Sequence, residues 1–182
     1  MPYFDTEGPE NTQKVVEIAL ATAKECKISH IVVATTTGAT ASLFKNHPEV
    51  KVVAVTHAFG FKDKGKNPLP QEKRKELTDA GIAVFTGTHV LSGAERGITN
   101  KAGGGINPVE LIAHVLRFFG AGTKVAVEVA TAALDAGLIP AEVPVIALGG
   151  THTGADTALI LLPANSNRIL ETRIQEILAK PR

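Results

Sequence analysis

The sequence predicts an α/β fold in which helices pack on a mostly parallel sheet. Short apolar segments typical of buried strands alternate with segments whose apolar residues recur at helical spacing. Aromatic residues make up only 4% of the 182 residues while Ala, Val, Ile and Gly abound, a composition that favours this architecture over a β-sandwich. No repeat, linker or low-complexity segment interrupts the chain, so we expect a single domain over residues 1–182.

The first half of the chain alternates regularly between helix and strand. Asn11 or Thr12 caps a first helix, and Cys26 falls on its apolar spacing, which predicts a small core residue. The later elements are a strand at 31–35, a helix from about Thr40 that ends before Pro48, a strand at 50–56, an exposed charged helix at 71–80 and a third buried strand at 82–86. The segment 62–70, rich in Lys, Gly and Pro, predicts an irregular loop.

The middle of the chain is less regular. The segment from Ser92 to Gly97 predicts one helical turn, and residues 100–105 predict a flexible loop. Glu95 and Arg96 either contact a ligand or pin this region. Asn107, Pro108 and Glu110 form a capping-box pattern that predicts a helix to about Phe119.

A helix from Thr123 to Gly137 precedes a buried strand at 145–148 and an apolar strand at 157–162. The eight residues between these two strands are too few for a parallel crossover, so we expect the strands to be antiparallel neighbours. The tail predicts a short helix at 167–172 and a strand at 174–179, or alternatively one continuous helix.

Charge and hydropathy narrow the classes of partner. The formal net charge is +1 and no long basic run occurs, which argues against nucleic acid or an anionic membrane as a main partner. No segment resembles a signal peptide or a membrane span, so the expected location is the cytoplasm. Small molecules, protein partners and a homo-oligomer stay open.

The segment 31–41 predicts a strand, a hydroxyl-rich glycine turn and the start of a helix. Gly38 can adopt a positive φ, the amides after it lie in a first helical turn, and threonine hydroxyls at Thr35, Thr36, Thr37 and Thr40 stand beside them. The segment therefore either binds an anion such as phosphate or merely caps the helix. No Walker A lysine and no Gly-x-Gly-x-x-Gly motif follows a strand, which favours a monophosphate.

Three histidines follow predicted strands at the same edge of the sheet. His57, His89 and His152 lack the spacing of metal ligands, so we expect no structural metal and a polar rim that hydrogen-bonds a ligand or another loop. His57 or His152 is a candidate general acid or base, and no catalytic residue is assigned. Glu128 shares a helical stripe with polar residues Lys124, Thr131 and Asp135, which predicts a solvated face.

The order of these motifs resembles a known family. Three segments are similar to the effector-binding C-terminal domain of pyruvate kinase. They are the stretch 34–41, Pro48 with the strand at 52–56, and the glycine loop 149–157 between its two strands. The whole chain resembles a family of stand-alone pyruvate kinase C-terminal-domain-like proteins, which are mainly archaeal. The shared stretches include residues 3–4, 8–12, 89–96, 154–158 and the last residues of the chain.

The resemblance implies a three-layer α/β sandwich with strand order 3-2-1-4-5 and an antiparallel fifth strand. It also implies a ligand site on the first and last glycine loops, which holds a sugar bisphosphate in pyruvate kinase and is associated with flavin mononucleotide in the stand-alone family. Thr151 and His152 stand where the pyruvate kinase effector loop carries tryptophan and arginine, which argues against a sugar bisphosphate here. The expected binding residues are Thr35, Thr36, Thr37, Gly38, Thr40, His57, Gly60, His89, Gly149, Gly150, Thr151, His152, Asp156 and Thr157.

Two functions follow from this site. The first is binding of a phosphorylated small molecule, with flavin mononucleotide (FMN) as the expected cofactor of a small flavoprotein oxidoreductase. The alternative is a non-catalytic module that senses a phosphorylated metabolite and reports it to a partner.

Overall fold

The structure is a computed structural model that describes residues 2–105 and 107–182, and over these residues a seven-stranded sheet lies between two layers of helices. The strands are β1 (Tyr3–Phe4), β2 (His30–Ala34), β3 (Lys51–Thr56), β4 (Ala83–Thr86), β5 (Val145–Gly149), β6 (Thr157–Leu162) and β7 (Arg173–Pro181). The helices are α1 (Thr12–Glu25), α2 (Ala39–Ser42), α3 (Gln71–Asp79), α4 (Gly93–Ala102), α5 (Pro108–Leu116) and α6 (Ala121–Asp135). Short 3-10 helices span Pro9–Asn11, Arg117–Phe119 and Ser166–Glu171.

The strand order is β1-β7-β6-β5-β2-β3-β4. Strands β2 to β5 are mutually parallel where they pair, and β6 is antiparallel to β5, as the short connection predicted. The predicted order 3-2-1-4-5 is therefore present as β4-β3-β2-β5-β6. It was incomplete, because β7 adds antiparallel to β6 and β1 adds parallel to β7.

Each face of the sheet carries its own apolar core. Successive side chains of a strand point to opposite faces, so Ile31 and Val33 of β2 pack on the α1 side and Val32 packs on the α6 side. The first core includes Val15 and Ala19 of α1, whereas the second contains most of α6. The three-layer arrangement is thus confirmed.

Several local predictions were wrong in extent. Helix α4 continues through Ala102 and includes residues that were predicted to be a loop. Strand β4 lies at the edge of the sheet and is only half-buried, because no strand covers its outer side in the described chain. Cys26 is exposed and is not a core residue, because it is the C-cap of α1, where the chain leaves the helix.

The start of α5 differs from a capping box. Asn107 is the N-cap residue, but its side chain donates to Glu110 at 3.1 Å and does not cap the helix. The backbone N–H of Glu110 instead donates to the carboxylate of Glu95 on α4 at 2.9 Å. Glu95 therefore pins the two helices together, which confirms the pinning role over a ligand contact.

Candidate functional site

A cavity of about 690 Å³ opens at the sheet edge where β2, β3, β4 and β5 end. Its position follows from topology, since β2 has β3 on one side and β5 on the other and ligands bind at such switch points. The lining residues are Pro9, Thr12, Ala34, Thr35, Thr36, Thr37, Ala39, Thr40, Leu43, Val55, Thr56, His57, Lys62, Gly87, Thr88, His89, Val125, Glu128, Val129, Ala132, Gly150, His152, Thr153 and Gly154.

The turn between β2 and α2, residues 35–40, brings four threonines to the cavity wall. The hydroxyl of Thr35 accepts a hydrogen bond from the Gly38 N–H at 3.1 Å and so fixes the turn. Within the described residues, the hydroxyls of Thr36, Thr37 and Thr40 have no hydrogen-bond partner in the protein. This segment, the threonine turn, therefore presents polar groups that a ligand is free to engage.

Gly38 has the positive φ of 90° that the sequence suggested, but it does not line the cavity. Its α-carbon is buried against α3 and the loop before it, where a Cβ would lie 2.6 Å from Lys73 and 3.1 Å from Leu69. Glycine is thus needed here for backbone conformation and packing. The prediction that Gly38 contacts the ligand finds no support in this geometry.

The loop between β5 and β6, residues 150–156, is held mainly by contacts within the protein. A Cβ on Gly149 would lie 2.1 Å from the Gly122 carbonyl oxygen of α6, and one on Gly150 would lie 2.3 Å from the Gly154 carbonyl oxygen. These glycines permit close packing of the backbone. His152 has a backbone φ of 62°, which is uncommon for a residue other than glycine. It also lines the cavity.

Asp156 anchors this loop from beneath and lies outside the cavity. Its side chain is fully buried and accepts hydrogen bonds from the N–H of Gly8 at 3.2 Å, the N–H of Thr151 at 3.1 Å and the hydroxyl of Thr157 at 2.8 Å. The hydroxyl of Thr12 completes the anchor by accepting the Ala155 N–H at 2.9 Å. Asp156, Thr151 and Thr157 therefore take part in a structural hydrogen-bond network outside the cavity, and their ligand roles stay predictions.

His57 and His89 form a hydrogen-bonded pair in the cavity wall. The His89 Nε2 accepts the N–H of Ala58 at 3.3 Å, so this nitrogen is unprotonated and His57 Nδ1 donates to it at 3.2 Å. Phe61 stacks on His57 with 4.6 Å between ring centroids. Burial lowers the pKa of both imidazoles, and the mutual repulsion of two charged rings lowers that of His57 further. The pair therefore favours its neutral form.

Glu128 was predicted to lie on a solvated face, but it is 7% exposed and lines the cavity. It forms a buried ion pair with Lys124, one turn earlier on α6, and its Oε1 accepts the N–H of Leu91 at 2.9 Å. Burial lowers the pKa of Lys124, an effect that the nearby carboxylate opposes. The prediction failed because α6 is covered on both sides, by the sheet and by α5.

The structure thus divides the predicted site. Eight of the predicted binding residues line one cavity: Thr35, Thr36, Thr37, Thr40, His57, His89, Gly150 and His152. The other six do not line it: Gly38, Gly60, Gly149, Thr151, Asp156 and Thr157. Gly60 lies in the loop after β3, where its N–H donates to the Lys66 carbonyl oxygen at 2.9 Å.

Sequence reasoning missed several lining residues. Lys62 in the irregular loop and the face of α6 formed by Val125, Glu128 and Val129 are the main ones. The spacing of that face at i, i+3 and i+4 was visible in the sequence, but it could not show that a cavity lay opposite. In residues 2–105 and 107–182 no group of three or more His, Cys, Asp or Glu side chains is placed to hold a metal ion.

Of the helices that the structure describes, none is both long and apolar enough to cross a membrane.

Comparison with known proteins adds a family and a set of related structures. A family model described as the alpha/beta domain of pyruvate kinase matches residues 13–161. A crystal structure of a pyruvate kinase from Cryptosporidium parvum is similar to 82% of this chain at 18% sequence identity, with a TM-score of 0.43. The structure of the Cryptosporidium parvum pyruvate kinase in complex with ADP also matches 82% of this chain at 18% identity, with a TM-score of 0.42. A third matches 79% of this chain at 16% identity with a TM-score of 0.40. The match covers 22% of the length of each of these pyruvate kinases.

Proposed function

The chain belongs to the pyruvate kinase alpha/beta domain family, and from that premise and the cavity we propose that it binds a phosphorylated small molecule, most specifically FMN. The observation that carries the proposal is a cavity of about 690 Å³ with free threonine hydroxyls on one side and the apolar face of α6 on the other. Cavities that hold small molecules and cofactors have this size and this mixture of polar and apolar walls.

The threonine turn is the proposed phosphate site. Hydroxyls without protein partners gain most from an anionic ligand, because hydrogen bonds to charged groups are stronger than neutral ones. Thr36, Thr37 and Thr40 would hold the phosphate. The loop 150–156 lines the same cavity with exposed His152 and Thr153.

The apolar face of α6 is the proposed ring site. Val125 and Val129 lie on one helical face together with Ala34 and Val55 from the ends of β2 and β3. Such a surface suits the planar ring of a flavin. When bound, FMN supplies the redox chemistry, and this chain positions the ring and excludes water from it.

A titration tests the proposal with matched variants of one residue. Thr37→Val removes the hydroxyl while keeping the shape, and Thr37→Ser keeps the hydroxyl. If Thr37 donates to the phosphate, the valine variant should lose FMN affinity by roughly tenfold to a hundredfold, whereas the serine variant stays close to wild type. Riboflavin, which lacks the phosphate, should bind all three proteins equally.

Other results would redirect the proposal. Equal losses for FMN and riboflavin would place the phosphate elsewhere in the cavity. Absence of any flavin binding by the wild-type protein would overturn the FMN assignment and favour a module that senses a different phosphorylated metabolite.

A further inference from the structure

Glu128 is the one carboxylate among the described residues that line the cavity. The other ionisable lining groups are three histidines and Lys62. Glu128 is held in place from two sides, by Lys124 on its own helix and by the Leu91 N–H from the segment after β4. A side chain fixed in this way cannot turn out to solvent, so any ligand that fills the cavity meets a carboxylate at this point of its wall.

Each oxygen of Glu128 keeps a hydrogen-bonding position. Lys124 approaches Oε2 and Leu91 donates to Oε1, and a carboxylate oxygen accepts two hydrogen bonds. The surrounding wall on α6, Val125, Val129 and Ala132, offers no polar atom from its side chains. A ligand donor on this side of the cavity therefore has Glu128 as its partner, and a ligand acceptor or anion is repelled.

The carboxylate and the threonine turn belong to different elements of the cavity wall. The turn follows β2, whereas the Leu91 segment that holds Glu128 follows β4, and β3 lies between them. The cavity thus has a donor-rich side for an anion and a separate acceptor for a hydrogen-bond donor.

We propose that Glu128 determines ligand specificity by accepting a hydrogen bond from a ring N–H of a planar heterocycle whose phosphate lies at the threonine turn. The inference rests on the proposed function and narrows its ligand to heterocycles with an imide, lactam or amino N–H. A buried ion pair adds little to stability over an apolar pair of the same volume, so its presence beside a cavity fits a role in recognition. FMN satisfies the requirement through the imide N3–H of its ring.

The test compares FMN with 3-methyl-FMN, which has the same phosphate but a methyl group in place of the imide hydrogen. Wild-type protein should bind 3-methyl-FMN roughly tenfold to a hundredfold more weakly than FMN. The double variant Lys124→Met/Glu128→Leu replaces the whole ion pair by apolar groups and should lose most of this preference. The control Val129→Ala changes the same helical face, and it should weaken both ligands equally and keep the preference.

Thermal unfolding of each variant shows whether it is folded. If the double variant does not fold, Glu128→Gln replaces it, and the preference for FMN should then fall severalfold because the acceptor loses its charge. A folded variant without the carboxylate that keeps the full preference overturns the role of Glu128, as does equal binding of the two flavins by wild type. In both cases FMN binding itself stands, whereas no binding of either flavin by wild type overturns this inference together with the proposed function.

Discussion

The threonine turn and the loop 150–156 follow the neighbouring strands β2 and β5 and line one cavity, and they use their polar atoms differently. The Asp156 carboxylate of the loop 150–156 is engaged within the protein, as are the hydroxyls of Thr12 on α1 and Thr157 on β6, which border the loop. In the threonine turn, the hydroxyl of Thr37 has no such partner among the described residues. Both segments combine glycine with threonine hydroxyls, so this composition alone does not distinguish a ligand site from a structural anchor. The distinction lies in whether the polar groups are already paired.

The largest expected effect comes from Asp156→Ala, which tests the anchoring role of this carboxylate. The substitution leaves three buried donors without an acceptor, and we expect a loss of about 4 kcal/mol in the free energy of unfolding. Urea denaturation measures it. Asp79→Ala is the control, because Asp79 is exposed on α3 and its ion pair with Lys75 contributes little. Similar stabilities for the two variants would contradict the anchoring role.

Gly149→Ala should be the next largest effect. The new methyl group would lie 2.1 Å from the Gly122 carbonyl oxygen, and such overpacking costs about 1–3 kcal/mol. Gly97→Ala on α4 is the matched control, since its Cβ meets no atom within 4 Å, and it should stabilise the protein by about 0.5–1 kcal/mol. Chemical denaturation of both variants checks the opposite signs. A stabilised Gly149→Ala protein would contradict the close approach of α6 to β5.

The histidine pair predicts a dependence of stability on pH. The pKa of His57 and His89 lies below its ordinary value of 6.5 in the folded protein, so the unfolded chain binds more protons as the pH falls through 6.5. Their contribution is fully present above pH 6.5 and is lost below it. Urea midpoints on both sides of pH 6.5 should fall with acidity, and less steeply for His89→Gln.

Exposed His114 provides the matched histidine-to-glutamine control for that measurement, as His114→Gln. His30 will keep part of the slope in every variant, since burial lowers its pKa as well. A slope in His89→Gln equal to that of wild type would show that the pair does not favour its neutral form.

The smallest effects on stability should come from threonine substitutions, which compare an unpaired hydroxyl with a paired one directly. Thr37 is exposed and unpaired, so Thr37→Val should change the free energy of unfolding by less than about 0.5 kcal/mol. Thr12→Val removes the acceptor of the Ala155 N–H and should cost about 1 kcal/mol. Thermal unfolding of the two variants separates them. Equal costs would mean that the two segments contribute alike to stability.

The central sheet was predictable because its signals are local. Each of β2, β3 and β5 is a short apolar run, and the short connection to β6 determines its direction. Strand β1 gave no such signal, because it has two residues and pairs with the far end of the chain, Tyr3 with Lys180. Pairing at that distance has no periodicity to detect.

The candidate site was predictable only where its residues follow strands. Thr36, Thr37 and His57 come directly after strand ends, and topology gathers those ends at one edge. Glu128 lies inside a helix, and its burial depends on how α5 and the Leu91 segment cover α6. Spacing along one helix carries no information on what covers it, so a buried carboxylate and a solvated one look the same in the sequence.

The anchoring of the loop 150–156 by the amino-terminal segment also has a kinetic consequence. Gly8 and Asp156 are 148 residues apart along the chain, and Arg182 donates to the Phe4 carbonyl oxygen at 3.0 Å. Contacts between such distant residues form late, because a long loop must close before they are gained. One wall of the cavity is therefore completed only when the segment 8–12 reaches the loop 150–156. Recovery of ligand binding during refolding should lag behind recovery of helix and strand, so that binding reports the final step of folding.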